Sequence, residues 1–162
     1  MTRSNSSTWI VGALAALLAV LFLHGGLAGR DAPDFTLRGA YGGSIDKGSF
    51  HGKPVLLVFW TTQCPVCRHE MPIVDRVALD SRRDGVEVVA VNLGDTQGAR
   101  DFLRDLRVTS AIDESGEAAR SFKVSGVPKF VLIDGAGKVK HEAVGFQSEG
   151  VLRGWLRGAA PR

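Results

Sequence analysis

The stretch Val55-Leu-Leu-Val-Phe-Trp60-Thr-Thr-Gln-Cys64-Pro65-Val66-Cys67-Arg68 decides the fold of this 162-residue chain. Its first six residues are all apolar, which is typical of a strand buried on both faces of a central sheet. The only two cysteines of the chain follow, separated by two residues, and lead into a segment with helical periodicity. We therefore expect a strand, a short turn, and a helix whose first turn carries both sulfurs.

The start of this helix gives the first cysteine a reactive setting. If Cys64 is the N-cap, Pro65 falls at the first helical position, where a missing N–H costs nothing. The amides of Val66 and Cys67 then face the Cys64 sulfur, and together with the positive helix end they stabilise a thiolate, the reactive form of cysteine. Cys64 is thus the predicted nucleophile. Cys67, one turn into the helix and in drier surroundings, is predicted to resolve a mixed disulfide.

Three other uses of paired cysteines fit less well. A zinc site needs four ligands, and His69 alone would leave the tetrahedron incomplete. A c-type haem attachment requires His directly after the second cysteine, where this chain has Arg68. An inert structural disulfide remains an alternative interpretation, although a bridge that encloses two residues constrains the unfolded state little. We predict no metal and no cofactor.

The N-terminus predicts where the dithiol works. Residues 9–29 begin with an Ala/Leu-rich run and contain no Asp, Glu, Lys or Arg. About 20 such residues cross a bilayer. Arg3 is the one charged side chain before the run, which favours a cytoplasmic N-terminus and a translocated remainder. We expect residues 1–30 to anchor a domain formed by residues 31–162 on the extracytoplasmic, or periplasmic, side of the cell membrane.

A cleaved signal peptide is the alternative to this anchor, because Gly26-Leu27-Ala28 offers a small-x-small cleavage site. The domain is exported under either interpretation.

Charge and size restrict the function of the exported part. The whole chain has a net charge of +3, but Arg3 and Arg30 are the only charged residues among the first 30 apart from the chain terminus, so the remainder is nearly balanced. This balance, and the lack of any Lys/Arg block, argue against a nucleic-acid partner. About 130 residues form one ordinary domain whose core needs no disulfide scaffold, which leaves the cysteines available for chemistry.

The rest of the chain predicts alternating strands and helices. Glycine-rich or Asp-containing turns separate the elements, most clearly at Gly42-Gly43 and at Asp134-Gly-Ala-Gly137. The predicted strands cover 35–37, 44–45, 55–60, 86–91, 129–133 and 139–144, and the predicted helices cover 65–83, 97–107, 117–122 and 148–158. This order predicts an α/β sandwich with a mixed central sheet.

Four motifs then stand in order along residues 31–158. They are Ala32-Pro-Asp-Phe-Thr-Leu37, the block from Phe59-Trp60 through Cys64-Pro-Val-Cys67-Arg-His-Glu70-Met-Pro72, Val88-Val-Ala-Val-Asn-Leu-Gly94, and Gly126-Val-Pro128 before Phe130-Val-Leu-Ile-Asp134. Together they resemble the TlpA/ResA-like thioredoxin-fold proteins. The resemblance implies an exported, usually membrane-tethered thiol-disulfide oxidoreductase. Its expected fold is thioredoxin-like, with helices flanking the sheet, an N-terminal hairpin and a single transmembrane helix before it.

The resemblance also assigns roles by position. It makes Cys64 the exposed attacking cysteine, Cys67 the resolving cysteine, and Pro128 a cis-proline beside the dithiol. Independently of the resemblance, a proline between strand-like segments can present the N–H and carbonyl of Val127 to an extended partner, so Val127 and Pro128 are predicted to bind substrate.

Asp95, which follows Val-Asn-Leu-Gly94, is the third predicted catalytic residue. Its functional role would be to accept a proton from Cys67, which needs a carboxyl pKa raised by partial burial. Its ordinary role would be the N-cap of the helix predicted at 97–107. The two roles can coexist.

The chain also departs from the family pattern. Gln63 stands where the family commonly has Trp, and Trp60 is predicted to belong to the core. Lys129 follows Pro128 where Thr is frequent, and we expect its cation near the dithiol, where it would lower a thiolate pKa. No acid occurs within residues 55–60, so the buried strand aspartate of cytosolic thioredoxins is absent.

Two other functions compete with disulfide exchange. A peroxiredoxin-like peroxidase shares the Ala-Pro-Asp-Phe opener and has Thr three residues before its cysteine, as Thr61 is here, but Leu57 stands where its proline should be. A copper-binding thioredoxin-fold module uses a cysteine spacing one residue longer and a downstream His, for which His141 is the candidate.

The resemblance favours a reductant of exported protein disulfides, with apocytochrome c before haem attachment as the leading candidate substrate. An oxidant is the alternative, because Pro65 and Lys129 would stabilise the Cys64 thiolate, and a stabilised reduced form makes a dithiol more oxidising. The implied partners are exported protein disulfides or dithiols, a membrane electron donor or acceptor, and the inner membrane itself through residues 9–29.

Overall fold

The computed structural model describes residues 29–161, so the predicted anchor and the alternative cleavage site lie outside it, apart from Gly29. Within this range no helix has both the length and the hydropathy that crossing a membrane requires. The strands are β1 (Thr36–Gly39), β2 (Ser44–Asp46), β3 (Val55–Trp60), β4 (Glu87–Asn92), β5 (Thr109–Ile112), β6 (Lys129–Ile133) and β7 (Val139–Val144). The helices are α1 (Pro65–Arg83), α2 (Thr96–Leu103), α3 (Glu117–Ser121) and α4 (Glu149–Ala159), and a 3₁₀ turn covers Lys47–Phe50.

The seven strands form one mixed sheet in the order β2-β1-β5-β4-β3-β6-β7. Strand β3 runs parallel to β4, which runs parallel to β5, whereas β6 is antiparallel to both β3 and β7. The hairpin of β1 and β2 joins the sheet by antiparallel pairing with β5. The α/β class, the mixed sheet and the N-terminal hairpin are therefore as predicted.

Strand β3 is the centre of the molecule. All six of its residues are buried, as its uninterrupted apolar sequence predicts. Because side chains alternate across a strand, Leu56 and Trp60 enter the core on one face of the sheet, while Leu57 and Phe59 enter the core on the other. Trp60 is fully buried, which confirms that it belongs to the core.

Helices cover both faces of this sheet. On the first face, Leu56 and Trp60 share a core with apolar residues of α1, α2 and α4. On the second face, Leu57 and Phe59 pack with Phe35 from the entering segment and Phe122 at the end of α3. The C-terminal ends of β3 and β4 meet at one edge of the sheet, so the loops that follow them are neighbours.

Two elements differ from the sequence-based expectation. The helix predicted at 97–107 ends at Leu103, and the short strand β5 was not predicted. The reason is a contact from outside the segment: the Asp75 carboxylate on α1 accepts hydrogen bonds from the N–H groups of Arg107, at 2.6 Å, and Val108, at 2.7 Å. These amides are held away from the helical ladder and direct the chain into β5.

Candidate active site

The dithiol lies at the N-terminus of α1, directly beyond the C-terminal end of β3. Cys64 is the N-cap with extended backbone, Pro65 occupies the first helical turn, and the N–H of Cys67 donates to the Cys64 Sγ at 3.1 Å. The predicted N-cap position of Cys64 and the predicted Cys67 N–H donor are therefore confirmed. The two cysteines form a disulfide in this structure. Cys64 is half-buried, whereas Cys67 is 0% exposed, so only Cys64 offers its sulfur to a partner.

The loop before β6 lies against the reactive sulfur. The Val127–Pro128 peptide bond is cis, as predicted, and the carbonyl oxygen of Val127 lies 3.8 Å from the Cys64 Sγ. Val127 is half-buried, with its backbone at the rim of the dithiol. The structure thus brings together Cys64, Cys67, Val127 and Pro128, four of the five residues predicted for the site.

Asp95, the fifth predicted residue, is the N-cap of α2. Its carboxylate accepts a hydrogen bond from the Gly98 N–H at 3.0 Å and another from the Thr62 hydroxyl at 2.6 Å. These two donors, the Thr62 hydroxyl first, hold the pKa of Asp95 below its ordinary value. The expectation of a raised pKa is therefore wrong, because hydrogen bonds to the charged form outweigh partial burial. The N-cap role is confirmed, and the Thr62 contact ties the turn before Cys64 to α2.

A buried carboxyl that the sequence reasoning did not single out lies behind the dithiol. Glu70 follows Cys67 by three residues on the inward face of α1 and is only 1% exposed. Its Oε1 accepts the N–H of Gln147 at 2.6 Å, while its Oε2 has no hydrogen-bond partner among the residues described. Burial raises the pKa of Glu70 to about 7, against the smaller opposing effect of the Gln147 bond. Residues three apart on a helix are neighbours, so Glu70 lies beside Cys67.

The spacing along α1 already contained this signal. Cys67, Glu70, Met71 and Val74 follow the i, i+3, i+4, i+7 pattern of an inward face, and all four are buried. An acid at such a position is unusual, since glutamate is rarely fully buried without a charged partner. Glu70 stands in the sequence block that carries the family resemblance, and its chemistry became apparent only with its burial.

The Lys129 ammonium does not remain free beside the dithiol. Its Nζ donates to the carbonyl of Phe122 at 2.6 Å and to that of Lys123 at 3.3 Å, at the C-terminal end of α3, and it lies 3.8 Å from Glu142. These contacts therefore do not support the expected role of Lys129 in lowering a thiolate pKa. The contacts assign Lys129 to closing the end of α3, where carbonyls lack helical partners.

The candidate copper ligand His141 also has another role. Its ring stacks on Trp155 of α4, with ring centroids 4.9 Å apart and nearly parallel planes. Within residues 29–161, no three His, Cys, Asp or Glu side chains are grouped closely enough to hold a metal ion.

With this geometry in place, the chain can be compared with known proteins. Residues 28–142 match the AhpC/TSA family. The thiol-disulfide oxidoreductase ResA of Bacillus thuringiensis subsp. konkukian is 35% identical over 136 residues, which cover 82% of this chain and 79% of ResA.

Two solved structures are also similar. A putative thiol:disulfide interchange protein DsbE from Chlorobium tepidum has a TM-score of 0.75 and 34% identity, covering 83% of this chain and 98% of the other. A secreted disulfide oxidoreductase of Mycobacterium tuberculosis has a TM-score of 0.68 and 27% identity, covering 76% and 95% of the two chains.

The difference in exposure between the two sulfurs predicts which one reacts first. In the Cys67→Ser variant, a disulfide-bonded peptide should be trapped on Cys64 as a stable mixed disulfide, because attack is possible and resolution is not. In Cys64→Ser the buried Cys67 should trap little. Non-reducing electrophoresis followed by mass spectrometry of the adduct measures both. Efficient trapping by Cys64→Ser would reverse the assignment.

Burial of Glu70 predicts a pH dependence of stability. The folded pKa, about 7, lies above the ordinary value of 4.5, so the folded protein holds this proton more tightly than the unfolded chain. The stabilising contribution is fully present below pH 4.5 and is lost as the pH rises through 7, a change of up to about 3 kcal/mol. Urea unfolding of the oxidised protein between pH 4.5 and 8 should show this loss, and Glu70→Gln should remove it.

The control for this experiment is Glu114→Gln, which changes a glutamate whose side chain is 54% exposed. It should follow the wild-type dependence on pH. Parallel curves for the wild type and Glu70→Gln would show that Glu70 does not carry the effect.

Proposed function

Because this chain belongs to the AhpC/TSA family and, within it, to the TlpA/ResA-like thioredoxin-fold thiol-disulfide oxidoreductases, we propose that it is an exported reductant of protein disulfides. The observation that carries the proposal is the pairing of a half-buried Cys64 at a helix N-terminus with a fully buried Cys67 behind it. This arrangement accepts a partner at one sulfur and shields the other until it is needed. Apocytochrome c is the leading candidate substrate.

The reaction proceeds in two exchanges. The Cys64 thiolate attacks one sulfur of the substrate disulfide, forms a Cys64–substrate disulfide, and releases the other substrate sulfur as a thiolate that takes up a proton. The Cys67 thiolate then attacks the Cys64 sulfur, forms the Cys64–Cys67 disulfide, and releases the second substrate thiolate. Two electrons pass to the substrate. A membrane electron donor of the dithiol class would return the protein to its reduced form.

The second exchange requires Cys67 to lose its proton in a buried setting, and Glu70 is better suited to accept it than Asp95. A general base works best when its pKa lies near the working pH, and the pKa of Glu70 is about 7. The Asp95 carboxylate is held in its charged form by Thr62 and Gly98, and its lowered pKa makes it the weaker acceptor. Asp95 therefore serves the site by positioning the turn before Cys64.

The contacts of Lys129 support the proposal that the protein is a reductant. A cation next to Cys64 would stabilise the thiolate and make the dithiol more oxidising. Since the Lys129 ammonium is engaged by two carbonyls at the end of α3, one of the two features that favoured an oxidant is weakened. Pro65, in the first turn of α1 directly after Cys64, remains as the opposing feature.

The direction of electron flow can be measured as the reduction potential of the Cys64–Cys67 couple against glutathione. For a reductant we expect a value near that of thioredoxin, about −270 mV, and not near that of DsbA, about −120 mV. Trapping of free thiols in intact cells should then find the dithiol largely reduced. A potential near the DsbA value, with Cys64 oxidised in cells, would establish the oxidant instead.

The proposal also includes a membrane anchor formed by residues 9–29, with the domain on the extracytoplasmic side. The Mycobacterium tuberculosis relative is a secreted protein. The start of the described chain is fixed to the sheet: the Val139 N–H donates to the Arg30 carbonyl at 2.9 Å, and Asp31 pairs with Lys138. These contacts lie at the start of β7, whereas the other end of β7 lies beside Lys129 and the dithiol. An anchor attached there leaves the dithiol facing away from its attachment point.

Terminal sequencing of the protein from a membrane fraction checks the anchor. The chain should begin at or near Met1, because the apolar run is long enough to remain in the bilayer. A mature protein that begins at Gly29 and is released from membranes by salt would show that the segment is a cleaved signal peptide.

A further inference from the structure

The ammonium group of Lys129 is buried and joins two separate parts of the chain. Lys129 is 7% exposed, and lysine is almost never fully buried unless its charge is paired. Its Nζ donates to the carbonyl of Phe122 at 2.6 Å and to that of Lys123 at 3.3 Å, and the Glu142 carboxylate lies 3.8 Å away. Because an ammonium group loses much of its hydration on burial, these contacts must compensate that loss.

Lys129 thereby closes a loop that passes beside the dithiol. Residues 123–128 connect the end of α3 to β6, and we call them the 123–128 loop. Lys123 opens this loop and Lys129 is the first residue of β6, so a side chain at one end holds the backbone at the other. Between them, the Val127 carbonyl oxygen lies 3.8 Å from the Cys64 Sγ. The Lys129 ammonium therefore fixes the base of the loop that adjoins the reactive sulfur.

The first residue of the loop has an uncommon backbone conformation. Lys123 has a φ of 52°, and it is the only residue other than glycine with a positive φ within residues 29–161. A residue with a side chain needs support from its surroundings to remain in this left-handed region. The Lys123 N–H donates to the Arg120 carbonyl at 3.0 Å, and the Lys123 carbonyl accepts the Lys129 ammonium. Lys129 thus supports the conformation in which the loop begins.

Few hydrogen bonds fix the middle of the loop. The structure gives no hydrogen-bond partner within residues 29–161 to the N–H groups of Ser125, Gly126 and Val127. The end nearest β6 is held by the Gly145 N–H, which donates to the Pro128 carbonyl at 2.8 Å. The position of Val127 relative to Cys64 therefore depends on how the two ends of the loop are held, and the Lys129 ammonium holds the end that adjoins α3.

We propose that Lys129 is a positioning residue for disulfide exchange, whose ammonium group holds the 123–128 loop so that the Val127 backbone pairs with an extended substrate at Cys64. The proposal rests on the function proposed above and on the substrate-binding role predicted for Val127. Lys129 acts through the loop and does not touch the reacting sulfurs. When its side chain no longer reaches the two carbonyls, the loop loses its alignment with Cys64, and backbone pairing contributes less to the rate.

The test compares two nine-residue peptides that have the same sequence and a central cysteine. In one of them the backbone nitrogens of the three central residues are methylated, which removes the N–H groups that the Val127 carbonyl would accept. Each peptide is supplied as its symmetric disulfide dimer, and its exchange rate with the reduced full-length protein is divided by its rate with glutathione. The wild-type protein should exchange with the unmethylated peptide about 10-fold faster, the effect of one or two hydrogen bonds.

Three variants measure how far this preference depends on the Lys129 ammonium. Lys129→Met keeps an unbranched side chain without a donor and should bring the ratio of the two rates toward one. Lys129→Thr, with a side chain too short to reach the Phe122 carbonyl, should do the same and covers the case in which Lys129→Met does not fold. Lys129→Arg keeps its donors and should retain most of the preference. The control is Lys140→Met, which removes an exposed lysine of β7 and should keep the wild-type ratio.

The outcomes separate this role from the function proposed above. If the wild-type protein exchanges with both peptides at equal corrected rates, or if Lys129→Met and Lys129→Thr both keep the preference, the positioning role is excluded and the oxidoreductase function stands. A lowered free energy of unfolding in these variants with an unchanged ratio would also reject the proposal, and would leave Lys129 only its role at the end of α3. If the wild-type protein reduces neither peptide disulfide, the proposed function itself fails.

Discussion

The hydrogen bond from the Cys67 N–H to the Cys64 sulfur depends on the position at which strand β3 ends. Strand β3 is buried on both faces, and its parallel pairing with β4 and antiparallel pairing with β6 fix its direction and its end. The turn that follows is held by the Thr61 carbonyl, which accepts the Cys64 N–H at 3.3 Å. Because the core sets the end of β3, it also sets the start of α1 and thereby the position of the reactive sulfur relative to Val127.

Two carboxyl groups of the site, those of Asp95 and Glu70, have pKa values shifted in opposite directions because their surroundings differ. Asp95 is reached by a hydroxyl and an amide, both of which donate to its charged form, and its pKa falls. Glu70 is 1% exposed and has a single amide donor, and burial raises its pKa to about 7. The net effect in each case follows from the number of donors set against the loss of solvent. Asp95 is fixed as an anion, and Glu70 can exchange a proton near neutral pH.

The sequence was sufficient where the determinants are local. The apolar run of β3, the N-cap position of Cys64 and the glycine-containing turn before β7 each depend on neighbouring residues, and the structure has them as predicted. The cis bond before Pro128 was implied by the family resemblance, and the structure has it. The mistaken expectations about Asp95 and the end of α2 depended on residues far along the chain, and the one about Lys129 depended on the turn that follows α3.

The distant determinants can be identified. The pKa of Asp95 is governed by Thr62, which precedes it by 33 residues. The end of α2 is set by Asp75 on α1, whereas the Lys129 ammonium is held by the nearby carbonyls of Phe122 and Lys123, just after α3. Burial of Glu70 could be inferred from its helical spacing, but its contact with Gln147, 77 residues away, could not. Local sequence patterns therefore predicted the helices and strands. Tertiary contacts determined the pKa values of the carboxyl groups and the residue at which α2 ends.

The loop after β7 connects features that are separate in the sequence. Gly145 bonds to Pro128, the Phe146 ring lies 6.4 Å from the His69 ring on α1, centroid to centroid, and Gln147 bonds to Glu70. One three-residue segment thus contacts the cis-proline, the His69 ring and the buried carboxyl. The Gln147 N–H donates to the Glu70 carboxylate and opposes the rise of its pKa, so any movement of this loop that lengthens the bond favours the protonated acid. The cis-proline loop and the buried Glu70 carboxyl are therefore linked through the same short segment.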